Sequence, residues 1–536
     1  MVTTTSPSNL DLASSSVSWF LIVTVVVLSF IILAGCVLIL IKFGHPDDAN
    51  MAWFPRGVVV SGLFLSFGTI LALPLDVANG AGSGGGLRMD ILWQGIFVCI
   101  IAVVTIVLPY AFFFYESDNN PERNGGVVGA WGGQAGTALQ YTLIGCIILA
   151  MVFALMKLFF DTAEIPLTLI DRDVSQLSSS WPISDTSRSN FNSLKCPLKG
   201  SLSAKSTDVC NSTNVQWSMQ VSFLVFCSAM LAFLGWFFFT VFCGIGFISL
   251  PFDMINEFRT RPIPMTAIEF AKQKIAIGKK AGGLLAMALE LQKGKADLDR
   301  ANTRKNRRND RATQNRLEAE LHALKKEKRL LEESYYQKGG NPVWYFSMLL
   351  FGLIGIILTV TWFIHICYYV LPKDGDPFLN TMFVELDTGI PGFSLFGVVA
   401  FGVYSFYLVL CAIKGTFRVG LRVPWLMKIY PMELGNTMMN AFIFNTWIIL
   451  ICTIPVVQFC VLSFKIYARN TDVRSIFGTQ VFYLRFFRVI WANSIFIWAI
   501  FCISFITGIS LIVNPKDKAA DVERRLKELA QNNDVE

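Results

Sequence analysis

Long apolar stretches alternate with polar ones along the whole of this chain, and nine windows are long enough to cross a bilayer: 18–41, 57–75, 91–115, 139–160, 217–250, 343–371, 391–413, 437–463 and 486–513. A helix needs about 20 consecutive apolar residues for that crossing. The pattern therefore predicts an all-α, polytopic bundle of about nine spans. The second window is the shortest, and the fifth is long enough to tilt or to run on into the following polar segment. Ahead of the first window stands one charge, Asp11, and no basic residue. A cleavable signal peptide opens with a positive region, so the first helix is expected to be retained.

Two polar stretches interrupt the apolar pattern. The larger, 251–342, holds twenty of the forty-five Lys and Arg residues. Basic loops stay on the cytoplasmic side, which places this insert inside and every other loop by alternation. The N-terminus then lies outside or in a lumen, and the C-terminal tail, 514–536, in the cytosol. About 32 Lys and Arg fall inside against about 11 outside, although Lys465, Arg469, Arg474 and Arg485 lie on the outer side against the trend. The expected organisation is a five-span region over 1–250, the insert 251–342, a four-span region over 343–513, and the tail.

The second polar stretch, 161–216, is rich in Ser, Thr and Asn and falls outside. It carries the glycosylation acceptor Asn211-Ser212-Thr213, which matters only if lumenal. It also holds Cys196 and Cys210, while the other ten cysteines lie in spans, where Cys behaves as a small apolar residue. A Cys196–Cys210 disulfide and two free thiols are both open.

Within the insert, Leu284, Leu291 and Leu298 follow a seven-residue step, and Leu317, Leu321, Leu324 and Leu331 a four-three-seven step. The basic stretch Arg300–Arg311 between them reads as the tip of a coiled-coil hairpin. Its arms either pack only on each other or also dock another protein, and both can hold together.

One motif occurs twice. Leu73-Pro74-Leu75-Asp76-Val77-Ala78-Asn79 ends the second window and Leu250-Pro251-Phe252-Asp253-Met254-Ile255-Asn256 the fifth, with a shorter form, Leu371-Pro372-Lys373-Asp374, after the sixth. Proline stops or kinks a helix, and Asp can accept N–H bonds at the start of a new one. The plain reading is a pair of helix stops. The functional reading makes Asp76, Asn79, Asp253 and Asn256 ligand positions at broken helices, as inverted repeats of carriers provide.

Composition narrows the classes. Hydrophobic residues make up 54% of the chain and charged ones 15%, and mean hydropathy is +0.53, so the bilayer is its solvent. The net charge of +7 comes from cytoplasmic segments and fits anionic lipids, with no base-reading motif for nucleic acid. The three histidines, His45, His322 and His365, are far apart in sequence, which leaves no metal-ligand spacing, and His45-Pro46-Asp47-Asp48 reads as a turn. No nucleophile elbow or Walker loop occurs, and Gly80–Gly86 lacks the strand-loop-helix setting of a phosphate cradle. Neither a catalytic residue nor a cofactor is expected. Lys157 and His365 are the clearest ionisable groups inside spans; Lys157 is placed to snorkel.

Taken together, several segments resemble the lipocalin-interacting membrane receptor family, also called limb-region-1-like membrane proteins. The resemblance covers His45–Asn50, Leu73–Asn79, Phe112–Glu116, Leu250–Phe258 with Arg261-Pro262, Pro377–Asn380, Tyr430–Glu433, Met438–Asn445, Ile454–Cys460 and Ile476–Gly478. Their wording is similar to the plant and protist branch. The resemblance implies nine spans, an outer N-terminus and a coiled-coil-forming loop between spans five and six. It also implies an endocytic receptor, or an escort or regulator of a membrane transporter, at the plasma membrane or an endolysosomal membrane. A trafficking or transport protein bound through 281–335 and a lumenal ligand are the partners to expect. The rival is a small-solute carrier, with cobalamin-type export as family precedent.

Overall fold

The computed structural model describes residues 19–45, 53–80, 88–118, 134–172, 210–259, 261, 265–298, 320–336 in part, 341–372, 375–388, 395–419, 422–423, 427–428 and 437–513. Its helices are α1 (Trp19–Phe43), α2 (Trp53–Gly80), α3 (Met89–Ala102), α4 (Leu108–Asp118), α5 (Gln134–Phe160), α6 (Phe223–Arg259) and α7 (Ala267–Leu298). There follow α8 (Pro342–His365), α9 (Phe378–Thr388), α10 (Phe396–Val419), α11 (Met439–Ser463), α12 (Asp472–Arg474), α13 (Phe487–Ala492) and α14 (Ile495–Val513). Eight spans among the described residues are long and apolar enough to cross a membrane: α1, α2, α3 with α4, α5, α6, α8 with its π-helical end, α10 and α11.

Four expectations change. The ninth window, 486–513, is not one helix. Asn493 closes α13, Ser494 takes a left-handed φ of 52°, and α14 starts at Ile495. A hydropathy average sees apolar side chains and is blind to a backbone reversal. The fifth window begins too early, because Trp217–Gln220 belong to a strand, and α6 runs on to Arg259. Pro74 and Pro251 are not helix stops: both lie inside continuous helices, α2 and α6. Neighbouring helices tolerate a proline there by re-satisfying the backbone it frees. Only the third copy behaves as read, with the helical run ending at Val370 before Leu371-Pro372.

The fourth change is β-structure inside the predicted outer loop. Strands β1 (Thr162–Arg172) and β2 (Cys210–Gln220) form an antiparallel pair running from Thr162↔Gln220 to Arg172↔Cys210. Alternation such as Ala163, Ile165, Leu167 on β1 supports the strand, but the window around it reads as polar loop. Asn211 sits on β2 opposite Asp171. Cys196 lies outside the described residues, as does any pairing with Cys210, and so do His45's neighbours Pro46–Asp48, the tip Arg300–Arg311 and the tail 514–536. A short pair, β3 (Arg422–Val423) with β4 (Met427–Lys428), completes the strands described.

The chain divides into two compact units, the first comprising 1–236, 380–399 and 434–496, the second 237–379, 400–433 and 497–536. In the first, α11 is buried along nearly its whole length, whereas α5 buries almost nothing and exposes Ile147, Leu158 and Phe159. A helix apolar on all sides with one such face uncovered is a lipid-facing helix. Buried polar groups of α11 find partners. Thr453 shares a 2.5 Å hydrogen bond with Ser66, and Gln458 accepts one from the Trp236 indole at 2.9 Å. The π-helical turn Val103–Val107 between α3 and α4 frees carbonyls from the α pattern, and Val104 O accepts from the Trp447 indole at 3.1 Å.

The second unit is knotted by side chains of α6, α8 and α10. Tyr407 donates to Gly355 O at 2.9 Å, and Thr359 donates to Phe247 O at 3.0 Å. Helices α6 and α10 cross so closely that a Cβ at Gly246 would strike the Cys411 carbonyl, and one at Gly415 the Phe242 carbonyl. In a bilayer such close approach by small residues is what holds helices together, since lipid tails supply no hydrophobic drive between them.

Within each unit the helix ends meet in groups. In the first unit, the ends assigned outward meet one another: α2 meets α3 and the 470–473 segment, and β1 meets 483–485. Ends assigned inward meet likewise: Phe43 bonds Thr437, Phe54 touches Tyr110 and Phe114, and Asn440 donates to Glu116 at 2.8 Å. In the second unit the inward ends of α6 and α10 meet through Asp253.

Candidate functional site

Both copies of the repeated motif carry an Asp within about two turns of the end of a long helix, and both carboxylates are engaged from within their own unit. Asp76, almost wholly buried on α2, accepts from the Trp93 indole at 2.8 Å and from the backbone N–H of Asp472 at 3.3 Å and Val473 at 3.0 Å. Those two N–H groups open α12, so a carboxylate from a distant helix caps that start and complements its positive end. Asp253 instead faces two cations one turn apart on α10, with Arg418 at 2.7 Å and Lys414 at 3.0 Å. Asn79 and Asn256 are half-buried and also in contact with other residues. Asp76 and Asn79 thus belong to the first unit, and Asp253 and Asn256 to the second.

The 464–494 segment gathers further polar anchors that sequence reading missed. Asn380 is fully buried; its amide donates to Ser463 O at 3.4 Å, where α11 ends, and its carbonyl accepts from the Tyr467 N–H at 3.1 Å. Asp387 on α9 accepts from Gly397 N–H and from the Tyr467 hydroxyl, each at 2.7 Å. Burial first, and then that carboxylate, push the Tyr467 phenol above its ordinary range. Part of the positive charge of the 465–488 segment has an internal destination. Arg474 donates to Lys465 O, and Glu164 of β1 draws in Arg488 at 3.6 Å and Arg485 at 4.0 Å. Spacing offered one clue only: Lys414 and Arg418, four residues apart at the end of a span, form a fork that a carboxylate can fill. For Trp93, Asn380 and Asp387 no sequence signal pointed to a partner.

Lys157, in the last turn of α5, donates to Val221 O at 3.2 Å beside the Phe226 ring. His365 is fully buried, stacked on Tyr369 and edge-on to Trp362 and Phe378. Among the described residues no cluster of three His, Cys, Asp or Glu groups is placed to hold a metal.

The insert contributes a different kind of surface. Phe270 of α7 stacks on Tyr335 at 4.2 Å, and Lys280 pairs with Glu327 at 3.0 Å, so the two stretches run in opposite directions. Ile277 and Leu331 are buried and Leu284 is half-buried, whereas Leu321 is largely exposed. Of the leucines in the two predicted steps, Leu317 lies outside the described residues.

Comparison with known proteins agrees with this architecture. The model of the family described as LMBR1-like membrane protein matches residues 17–338 and 263–512. A LIMR family protein of Dictyostelium discoideum is 33% identical over 528 residues, 94% of this chain and 99% of its own length. A LIMR family protein of Arabidopsis thaliana is 31% identical, covering 89% of this chain and 92% of its own, and one of Oryza sativa subsp. japonica is 31% identical over 91% and 94%. No solved structure matches the chain. Matches of this breadth, on a chain whose described residues include eight helices long and apolar enough to cross a membrane, place it in the LMBR1-like, or LIMR, family of multi-pass integral membrane proteins.

Proposed function

We propose that the protein is a non-enzymatic membrane scaffold that escorts or regulates a transporter, or serves as an endocytic receptor, with its cytoplasmic insert holding the partner. The observation that carries this reading is where polar chemistry is spent. Asp76 and Asp253 are engaged by internal donors, as are Asp387 and Glu164, while the insert carries apolar side chains in the open. Ionisable groups inside a bilayer normally mark a solute or proton path, and here they brace helix ends instead. That weighs against the rival, a solute carrier lined by Asp76, Asn79, Asp253 and Asn256.

The basic insert and tail lie in the cytosol in this reading, and the β1–β2 segment, with Asn211 as a glycosylation site and Cys196–Cys210 as a disulfide, faces a lumen or the exterior. The internal engagement of Arg474 and Arg485 supports it, because they are two of the four cations that run against the charge rule. The membrane is the plasma membrane or an endolysosomal one. The test is affinity purification of the tagged protein in mild detergent, with and without residues 281–335. A membrane transporter or trafficking protein that disappears with the deletion is the expected result. Unchanged partners, with substrate uptake by proteoliposomes that is lost in Asp76→Ala, would establish the carrier instead.

A further inference from the structure

Helix α7 carries two apolar stripes. The inner one, through Phe270, Ile277 and Leu284, is turned to the 320–336 stretch. The outer stripe lies roughly 130° around the helix. There Ile268, Ile275, Leu285 and Leu289 are 82%, 62%, 62% and 50% exposed. Between them Ala271, Gly278 and Gly282 complete alternating three- and four-residue steps, the spacing of a seam between two helices. A Cβ added at Gly278 or Gly282 would meet open space. Glycine weakens a helix, and two of them in the middle of an exposed seam have a physical use when another helix comes in close.

The charges beside the seam select the occupant. The flanking positions, where paired helices exchange charges, hold Lys272, Lys274 and Lys279 together with Ala267, Ala281, Ala286 and Ala288, and no acid. The three lysines are exposed. A second copy of α7 is a poor partner in either direction. Parallel pairing sets one lysine-bearing flank against the other, and antiparallel pairing sets each against itself. A bilayer surface would welcome the lysines but has no use for the glycine gap. We propose that the outer face of α7 from Ile268 to Leu289 docks an amphipathic helix of a partner protein, with acidic residues bordering its apolar seam and large side chains opposite Gly278 and Gly282. This rests on the docking role proposed for the insert and specifies the partner's chemistry.

The full-length protein in lipid nanodiscs tests it, with two synthetic helices about four heptads long as probes. Both carry a leucine seam; one is flanked by Glu and the other by Lys. Fluorescence anisotropy should show the Glu-flanked helix binding at least about tenfold more tightly, and Ile275→Asp should abolish that preference. The joint change Lys272→Glu, Lys274→Glu and Lys279→Glu, made at exposed sites, should reverse it in favour of the Lys-flanked helix. Equal affinities, or a preference untouched by the reversal, would overturn the proposal. So would a blue-shifted fluorophore at position 275 that responds to anionic lipid in the disc without any probe helix. In cells, a partner lost with 281–335 but kept by the triple reversal would remove this face and leave the broader reading standing, whereas a partner kept in both would remove that reading itself.

Discussion

The same seven-residue motif is used in opposite ways in the two units of the molecule. In the first, Asp76 is buried and gathers neutral donors, an indole and two backbone N–H groups. In the second, Asp253 is about a third exposed and gathers two cations, themselves partly exposed. The first arrangement is a cap whose value comes from otherwise orphaned donors. The second is an ion pair at a helix end, modest in worth wherever solvent reaches it. A short sequence motif therefore specifies a carboxylate near the end of a helix, and the element that meets it decides what the carboxylate does.

Removing each carboxylate should expose the difference. Asp76→Ala strands three donors and is expected to cost about 3 kcal/mol, read as lowered thermal stability in detergent. Asp253→Ala should cost about 1 kcal/mol. Equal losses would break the comparison. Exchange for asparagine sharpens it: Asp76→Asn keeps an acceptor oxygen and should recover roughly half the loss, while Asp253→Asn surrenders the charge its cations need and should behave like alanine. A double-mutant cycle between Asp253→Ala and Arg418→Ala is expected to return a coupling of about 1 kcal/mol that shrinks on adding roughly 0.5 M salt. No salt dependence should attend the Asp76 variants. An effect well below that of Asp76→Ala, about 1 kcal/mol, is expected for Trp93→Phe, which removes one of three donors but keeps most of the packing with Phe97.

Much of the membrane architecture was readable in advance because apolar runs of bilayer length report directly on burial in lipid. The first eight windows each overlap a long apolar helix among the described residues. The ninth window misled because Asn493 and Ser494 interrupt the helix without interrupting its hydropathy. Proline misled in the other direction: at Pro74 and Pro251 the rule for water-soluble helices predicts a stop, but in lipid an ended helix would expose more unpaired backbone than a continued one. The β1–β2 pair was hidden because its polar residues resemble loop when no partner strand is in view.

The family, the all-helical membrane class, the polar insert and its hydrophobic periodicities are properties of the amino-acid order alone, since they depend on local composition and spacing. Which donors reach Asp76, which cations reach Asp253, and which face of α7 stays uncovered depend on residues far apart in the chain: 76 with 473, 253 with 418, 270 with 335. Such contacts have no local signature, because a carboxylate's preference is satisfied equally by any suitable donor, and only the packing of the helices determines which one arrives.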